Sequence, residues 1–294
     1  ESTYDQAKAD AAYATKLEQW RATMAAAKGK PDVDRKRLPK KPDAPKRPLL
    51  TEGRPGVLYA AMIHPFVGYT MRGAIWYQGE GNARPGAVPY DQTLPLMIND
   101  WRKRWGDEFS FYYVQLASFH APSTEPGTPD SWALTQDRMR LVLGTTPKTG
   151  MAVTNDVGEA NDIHPKNKKD PGERLARWAL AKDYGEQLIY SGPLFKTSEV
   201  KDRAIRVTFD QAGEGLKSRD GGPLKRFEIA GVDKVWHWAD AKIDGKDAVI
   251  VSSAEVKQPV AVRYAWAANP EGANLVNSDG LPTSVFRTDD WDDV

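Results

Sequence analysis

Hydrophobic positions along this chain change rhythm twice. Tyr13, Leu17, Trp20 and Met24 recur at helical spacing, with Gly29 and Pro31 behind them as stop signals. This predicts an amphipathic helix over residues 4–28 whose apolar stripe needs cover. From residue 57 to 190 short apolar runs alternate with helical periods. Ala74 to Tyr77, Phe111 to Leu116 and Met151 to Thr154 are runs of strand length, as expected of strands covered on both faces. Leu94, Met97, Ile98, Trp101 and Trp105 mark one intervening helix, and Trp132, Thr135, Met139 and Val142 mark another behind a Ser131 cap. A third begins at Pro171, runs through Leu175, Trp178 and Ala179, and stops at Gly185. This alternation implies an α/β fold with a mainly parallel, doubly wound sheet. Ligands of such sheets collect beyond the carboxyl ends of the strands.

From residue 191 onward the helical period disappears. Ile205, Val207 and Phe209 alternate, Val235, Trp236 and Trp238 form an aromatic run, and Val249 to Val251 and Val260, Val262 and Tyr264 add strands. Asp244-Gly245 is a hairpin signal. The organisation expected is an amphipathic helix and Pro/Lys-rich insertion at 1–50, an α/β region at 51–190 and an antiparallel β domain at 191–294. Within the last, residues 269–294 are rich in Asn, Asp, Gly and Pro and read as irregular, folding back on the α/β region.

Composition narrows the function classes. A net charge of +1 and no bilayer-length apolar run point away from nucleic-acid binding and membrane insertion. Cysteine is absent, which excludes disulfides and thiolate metal sites. Residues 30–48 carry five prolines with eight basic and three acidic side chains. They read as a solvated charged loop or a docking site for anionic glycan. The chain begins in polar, helix-forming sequence without a signal peptide, as expected where a leader has been lost.

Candidate chemistry centres on two segments. His164 follows a predicted strand, where a neutral imidazole can take a proton from a hydroxyl and return it to a leaving alcohol. Its second nitrogen needs an acceptor, for which Asp162, Asp156 or a backbone carbonyl is in range. His64 and His237 lie in apolar surroundings and read as core residues, while His120 lies in a proline-bearing loop. No His-Glu-x-x-His spacing exists, so a histidine-built metal site is not expected. Gln78, Gly79, Glu80 and Asn82 form a polar cluster directly after a buried strand, where amide donors face a developing oxyanion or simply make a polar turn. Trp76, Tyr77 and Trp132 offer an aromatic stacking face or belong to the core.

Four blocks carry a resemblance: Val57-Leu-Tyr-Ala-Ala-Met-Ile-His-Pro65, Gly73-Ala-Ile-Trp-Tyr-Gln-Gly-Glu-Gly-Asn82, Asn99-Asp-Trp-Arg102 and Asp162-Ile-His-Pro-Lys-Asn167. Together they resemble the sialate O-acetylesterases, a branch of the SGNH hydrolases, over roughly residues 55–190. The resemblance implies hydrolysis of a sugar acetyl ester through a serine acetyl-enzyme without a metal or organic cofactor, with Gln78 as an oxyanion donor and His164 as the base. A secreted or periplasmic bacterial protein is the accompanying expectation. Two departures stand out: Gly81 replaces the serine of G-E-S-N, and Asn161 occupies the aspartate position of D-x-x-H, leaving Asp162 one residue later. A nucleophile block like G-Q-S-N-M is missing, and no G-x-S-x-G elbow replaces it. The expected partner is therefore an N-terminal fragment of the same polypeptide carrying the serine. The alternative is a non-catalytic glycan-binding subunit with a degenerate esterase site.

Overall fold

A computed structural model describes residues 5–28, 38–45 and 55–291. The chain divides into two compact units, Glu1–Tyr69 and Thr70–Val294. In the first, α1 (Gln6–Ala27) starts at Asp5, whose carboxylate accepts the Lys8 amide at 3.0 Å. Its stripe, Tyr13, Leu17, Trp20 and Met24, is half-buried and the Trp20 indole donates to the Pro39 carbonyl at 2.9 Å. The remainder of the Pro/Lys-rich insertion, residues 29–37 and 46–54, lies outside the described residues. Residues 57–66 are helical and leave Leu58, Met62 and Phe66 exposed, four residues apart on one face. His64 is exposed as well, its ring 5.9 Å from that of Tyr59, so it is not the core histidine that its apolar neighbours suggested.

The second unit is built on three parallel strands in the order β1 (Gly73–Trp76), β2 (Ser110–Val114) and β3 (Thr149–Ala152). On one face α2 (Tyr90–Trp105) and α3 (Ser131–Thr145) bring Ile98, Met139 and Val142 against Phe111, Tyr113 and Met151. On the other, α4 (Lys169–Lys182) sets Leu175 and Trp178 against Tyr112, Val114 and Ala152. Trp178 lies so close to Gly150 that a Cβ there would stand 2.5 Å from its ring. The Ser131 cap is corrected by the structure. Asp130 caps α3, accepting the Trp132 and Ala133 amides at 2.8 and 3.0 Å, and Ser131 donates to the Ala83 carbonyl. Ala74 to Tyr77 was expected to be covered on both faces. Instead β1 pairs only with β2 among the described residues, and Ile75 is 72% exposed.

The remaining sheets are antiparallel. One runs β4 (Leu194–Lys201), β5 (Ala204–Asp210), β10 (Ala248–Ser252), β9 (Asp240–Asp244), a second β13 (Phe286–Arg287), β11 (Pro259–Tyr264), β7 (Phe227–Gly231), β8 (Trp236–Trp238), and a two-stranded piece β12 (Leu275–Asn277), β6 (Leu216–Ser218). Val207, Phe209, Val249 and Val251 share one core with Phe227, Ile229, Val262 and Phe286. Asp244-Gly245 does turn the chain from β9 to β10, with Gly245 at φ +72°. His237 is half-buried and 2.9 Å from the Glu255 carboxylate, not a core residue. Much of residues 269–291 lacks regular structure but is buried: Asn277, Thr283 and Ser284 are fully enclosed. Here Asp289 accepts both Nε and Nη2 of the buried Arg263, whose guanidinium lies 4.2 Å from the Trp236 ring centre and 4.7 Å from that of Trp266.

Glu228 on β7 is 2% exposed and accepts the Gly127 amide at 2.9 Å. Burial pushes its carboxyl up to about 7, against the opposing effect of that amide, Arg263 and Arg226. The folded state therefore holds this proton more tightly than the unfolded chain. Its stabilising contribution is complete below the ordinary carboxyl range and lost as pH rises to about 7. Urea titrations at pH 5 and pH 8 should show Glu228→Gln gaining on the wild type by roughly 2–3 kcal/mol across that interval.

Candidate active site

The first candidate segment leaves β1 at Tyr77 and crosses directly onto the core. Gly79 has φ +154°, and a Cβ there would lie 2.5 Å from Met139 Cε and 3.2 Å from Leu116 Cδ2, so backbone alone fits. One short turn follows, with the Asn82 amide donating to the Gly79 carbonyl at 2.9 Å. The Tyr90 hydroxyl donates toward the Gln78 carbonyl at 2.8 Å, lies 3.1 Å from Gln78 Oε1, and accepts the Trp76 indole N–H at 3.1 Å. Held by its oxygen, Gln78 turns Nε2 toward Asn82 Oδ1 at 3.0 Å. The Gly79 amide donates to the Glu80 carboxylate at 2.9 Å. Burial, reinforced by the negative charge of Glu80, raises the phenols of Tyr77 and Tyr90 to about 12, so both stay protonated at neutral pH.

The second segment leaves β3 at Val153. Thr154 donates through its hydroxyl to the Gln115 carbonyl, and Asn155 donates through Nδ2 to the Thr283 carbonyl at 2.9 Å. Gly158 bridges to Ser118, where a Cβ would fall 2.1 Å from the Ser118 oxygen. Glu159 then closes a tight loop by accepting the Asp162 amide on its carbonyl and the Lys166 amide on its carboxylate. His164 is exposed at the tip.

Both segments meet one apolar cluster: Gly79 covers Met139 and Leu116, and Ile163 packs against the cluster containing those two side chains. Lys168 carries its ammonium 4.9 Å from the Tyr77 ring centre, a direct contact between the helix start behind His164 and the residue before Gln78. The acidic partners are arranged differently from a simple relay. Asp162 accepts the backbone amide of His164 at 2.9 Å, and the imidazole makes no hydrogen bond to a described residue. Asp156 is bound by Arg174 at 2.6 and 2.9 Å and by Arg219 at 2.8 Å, leaving it committed to two guanidiniums and not to the imidazole. Among the described residues no group of three or more His, Cys, Asp or Glu side chains is arranged to hold a metal ion.

Sequence reasoning missed Tyr90, Arg174 and Arg219. A tyrosine opening a helix carries no local signal of its hydrogen-bonding role, and Arg219 reaches the site from more than fifty residues away in sequence. Trp76 and Trp132 belong to the core: Trp132 is 6% exposed and its indole donates to the Ala117 carbonyl, while Trp76 packs edge-on against Trp101.

No family-level sequence profile matches the chain. The mouse sialate O-acetylesterase is 33% identical over 238 residues, covering 74% of this chain and 43% of the mouse protein. The human sialate O-acetylesterase is 30% identical over 254 residues, covering 79% and 48%. Among solved structures, a carbohydrate acetylesterase from Xanthomonas citri is 45% identical, with a TM-score of 0.75 over 80% of this chain and 54% of that one. The chain thus spans less than half the length of these curated relatives.

Replacing Tyr90 with Phe removes one hydroxyl from a site 4% exposed and strips the Gln78 carbonyl and Trp76 indole of their shared partner. Chemical denaturation should register a loss of about 1–3 kcal/mol.

Proposed function

We propose that this chain, which belongs to the sialate O-acetylesterase family, is the His164-bearing part of a carbohydrate O-acetylesterase whose serine comes from a segment outside it. The observation that carries this reading is that the Gly73–Asn82 and Asp162–Asn167 blocks pack on one apolar cluster, with Lys168, directly behind the second block, 4.9 Å from the Tyr77 ring centre. In the proposed reaction His164 takes the serine hydroxyl proton as the oxygen attacks the acetyl carbonyl. Gln78 Nε2, which keeps a second hydrogen beyond the one given to Asn82, donates to the oxyanion along with backbone amides of the Gly79–Asn82 turn. His164 then returns the proton to the departing sugar oxygen, activates water against the acetyl-serine, and acetate leaves. Asp162 fixes the turn that presents the imidazole.

The open side of β1 supports the partner in this proposal. Strand order runs in one direction from β1 to β3, and among the described residues β1 has no strand beyond it and Ile75 is 72% exposed, where a parallel strand calls for cover. Strands from the missing segment, laid beside β1, would complete a doubly wound sheet and bring the serine to the edge where His164 stands. A bacterial, secreted or periplasmic protein is consistent with this assignment and is part of the proposal. The competing reading, a non-catalytic glycan-binding subunit, draws on an imidazole that makes no hydrogen bond to a described residue and on Gly81.

Hydrolysis of p-nitrophenyl acetate separates them. Assembled with a serine-bearing N-terminal segment, the protein should release p-nitrophenol. His164→Ala should reduce kcat/KM about 10²–10⁴-fold, and Gln78→Ala should reduce kcat about 10²–10³-fold with little change in KM. Full activity in His164→Ala would remove it from the mechanism; inactivity of the assembled wild type would favour the binding subunit.

A further inference from the structure

A cavity of about 330 Å³ opens where the loops leaving β2 and β3 meet the antiparallel region. Ser118, Asn155 and Asp156 form one wall, and Arg219, Asp220 and the Asn269–Asn274 loop form the other. Its volume falls at the lower end of ligand pockets, roughly 300–1,000 Å³. It lies at the carboxyl edge of a parallel sheet, where ligands of such folds collect.

Hydrogen bonds within the protein cross-link the walls. Asp156 is anchored by Arg174 and holds Arg219 at the cavity surface through a 2.8 Å contact. Asp220 accepts from Ser218 Oγ at 2.6 Å, Asn274 Nδ2 at 2.9 Å, Lys225 Nζ at 3.0 Å and the Gly222 amide at 3.1 Å. These donors, Ser218 foremost, hold its carboxyl well below the ordinary range. Asn274 is 4% exposed and is itself fixed by the Pro223 carbonyl and the Lys225 amide.

Charge then restricts the ligand. Asp156, Asp220 and Glu271 line the cavity with Arg219 as the one lining cation, while Arg174 and Lys225 neutralise from behind. At the lining itself a ligand carboxylate would meet three carboxylates and one guanidinium, and that guanidinium is already paired with Asp156. A ring bearing neighbouring hydroxyls, each both donor and acceptor, matches fixed carboxylates and a fixed guanidinium at once. We propose that this cavity is a subsite for a neutral, hydroxyl-rich sugar ring, with Arg219 as its specificity-determining residue. The antiparallel region thereby builds half of the glycan site. The inference rests on the carbohydrate reading above but not on catalysis by His164.

Calorimetric titration of the full chain tests it without requiring turnover. The probes are neutral tetrasaccharides (cellotetraose, mannotetraose and xylotetraose) set against tetragalacturonate and N-acetylneuraminate. At least one neutral probe should bind more tightly than both acidic ones. Arg219→Ala should weaken that binding about 10-fold or more, with an unchanged melting temperature showing that the fold persists. Glu271→Lys, at the exposed rim, should instead raise tetragalacturonate affinity about 5-fold at low salt and lose that gain at high salt. Preference for an acidic probe, absence of neutral binding, or binding indifferent to both substitutions would overturn the subsite. Selective neutral binding by a protein that never hydrolyses p-nitrophenyl acetate would leave the subsite standing and remove the esterase.

Discussion

The complete burial of β2 is the constraint on which the second unit depends. Every residue from Ser110 to Val114 is enclosed, so both edges need strand partners and both faces need cover. β1 and β3 meet the first need. α2 and α3 meet the second from one side, α4 from the other, dividing the alternating side chains Phe111 and Tyr113 from Tyr112 and Val114. With the central strand enclosed in this way, connections leaving the carboxyl edge are forced outward together. That geometry brings Gln78 and the His164 loop to one end of the sheet.

At that edge, polar backbone lies on apolar core with little separation. Gly79 permits the approach on one side and Gly158 on the other, each in a backbone conformation that L side chains rarely adopt. Polar atoms exposed to such surroundings must be partnered, and Tyr90 does this for Gln78. The result is an amide held by Tyr90 and Asn82 at the end of the sheet from which the loop carrying the exposed imidazole also leaves.

The antiparallel region is tied into the same edge by polar contacts as well as by apolar packing of Ala133 and Ala268. Asn155 and Gln115 reach Thr283 and Ser284, Asp130 caps α3 while accepting the Ala268 amide, and Asp156 joins Arg174 to Arg219. The bonds of Asn155 and Gln115, shielded from water, demand correct geometry from both parties. They fix the loops after β2 and β3 relative to residues 219–274, and so give the cavity its shape.

Much of this was legible in order along the chain. Apolar runs at Phe111 and Met151, the helical period through Ile98 and Trp101, and Asp244-Gly245 are local signals, because burial on a strand or helix face imposes its own spacing. The blocks around Gln78 and His164 were equally visible, as was their position after strands. What the sequence could not decide depended on partners distant in the chain. Asp156 and Asp162 have the same chemistry, and only the arrival of Arg174 and Arg219 at one and a backbone amide at the other separates them. His64 and His237 sit among apolar neighbours in sequence yet outside the core in space, because periodicity reports a face and not what covers it. Tyr90, silent in sequence, became the hub of the Gln78 network once α2 folded against β1. Local spacing determined the elements; long-range hydrogen bonding decided which of their polar residues form a site.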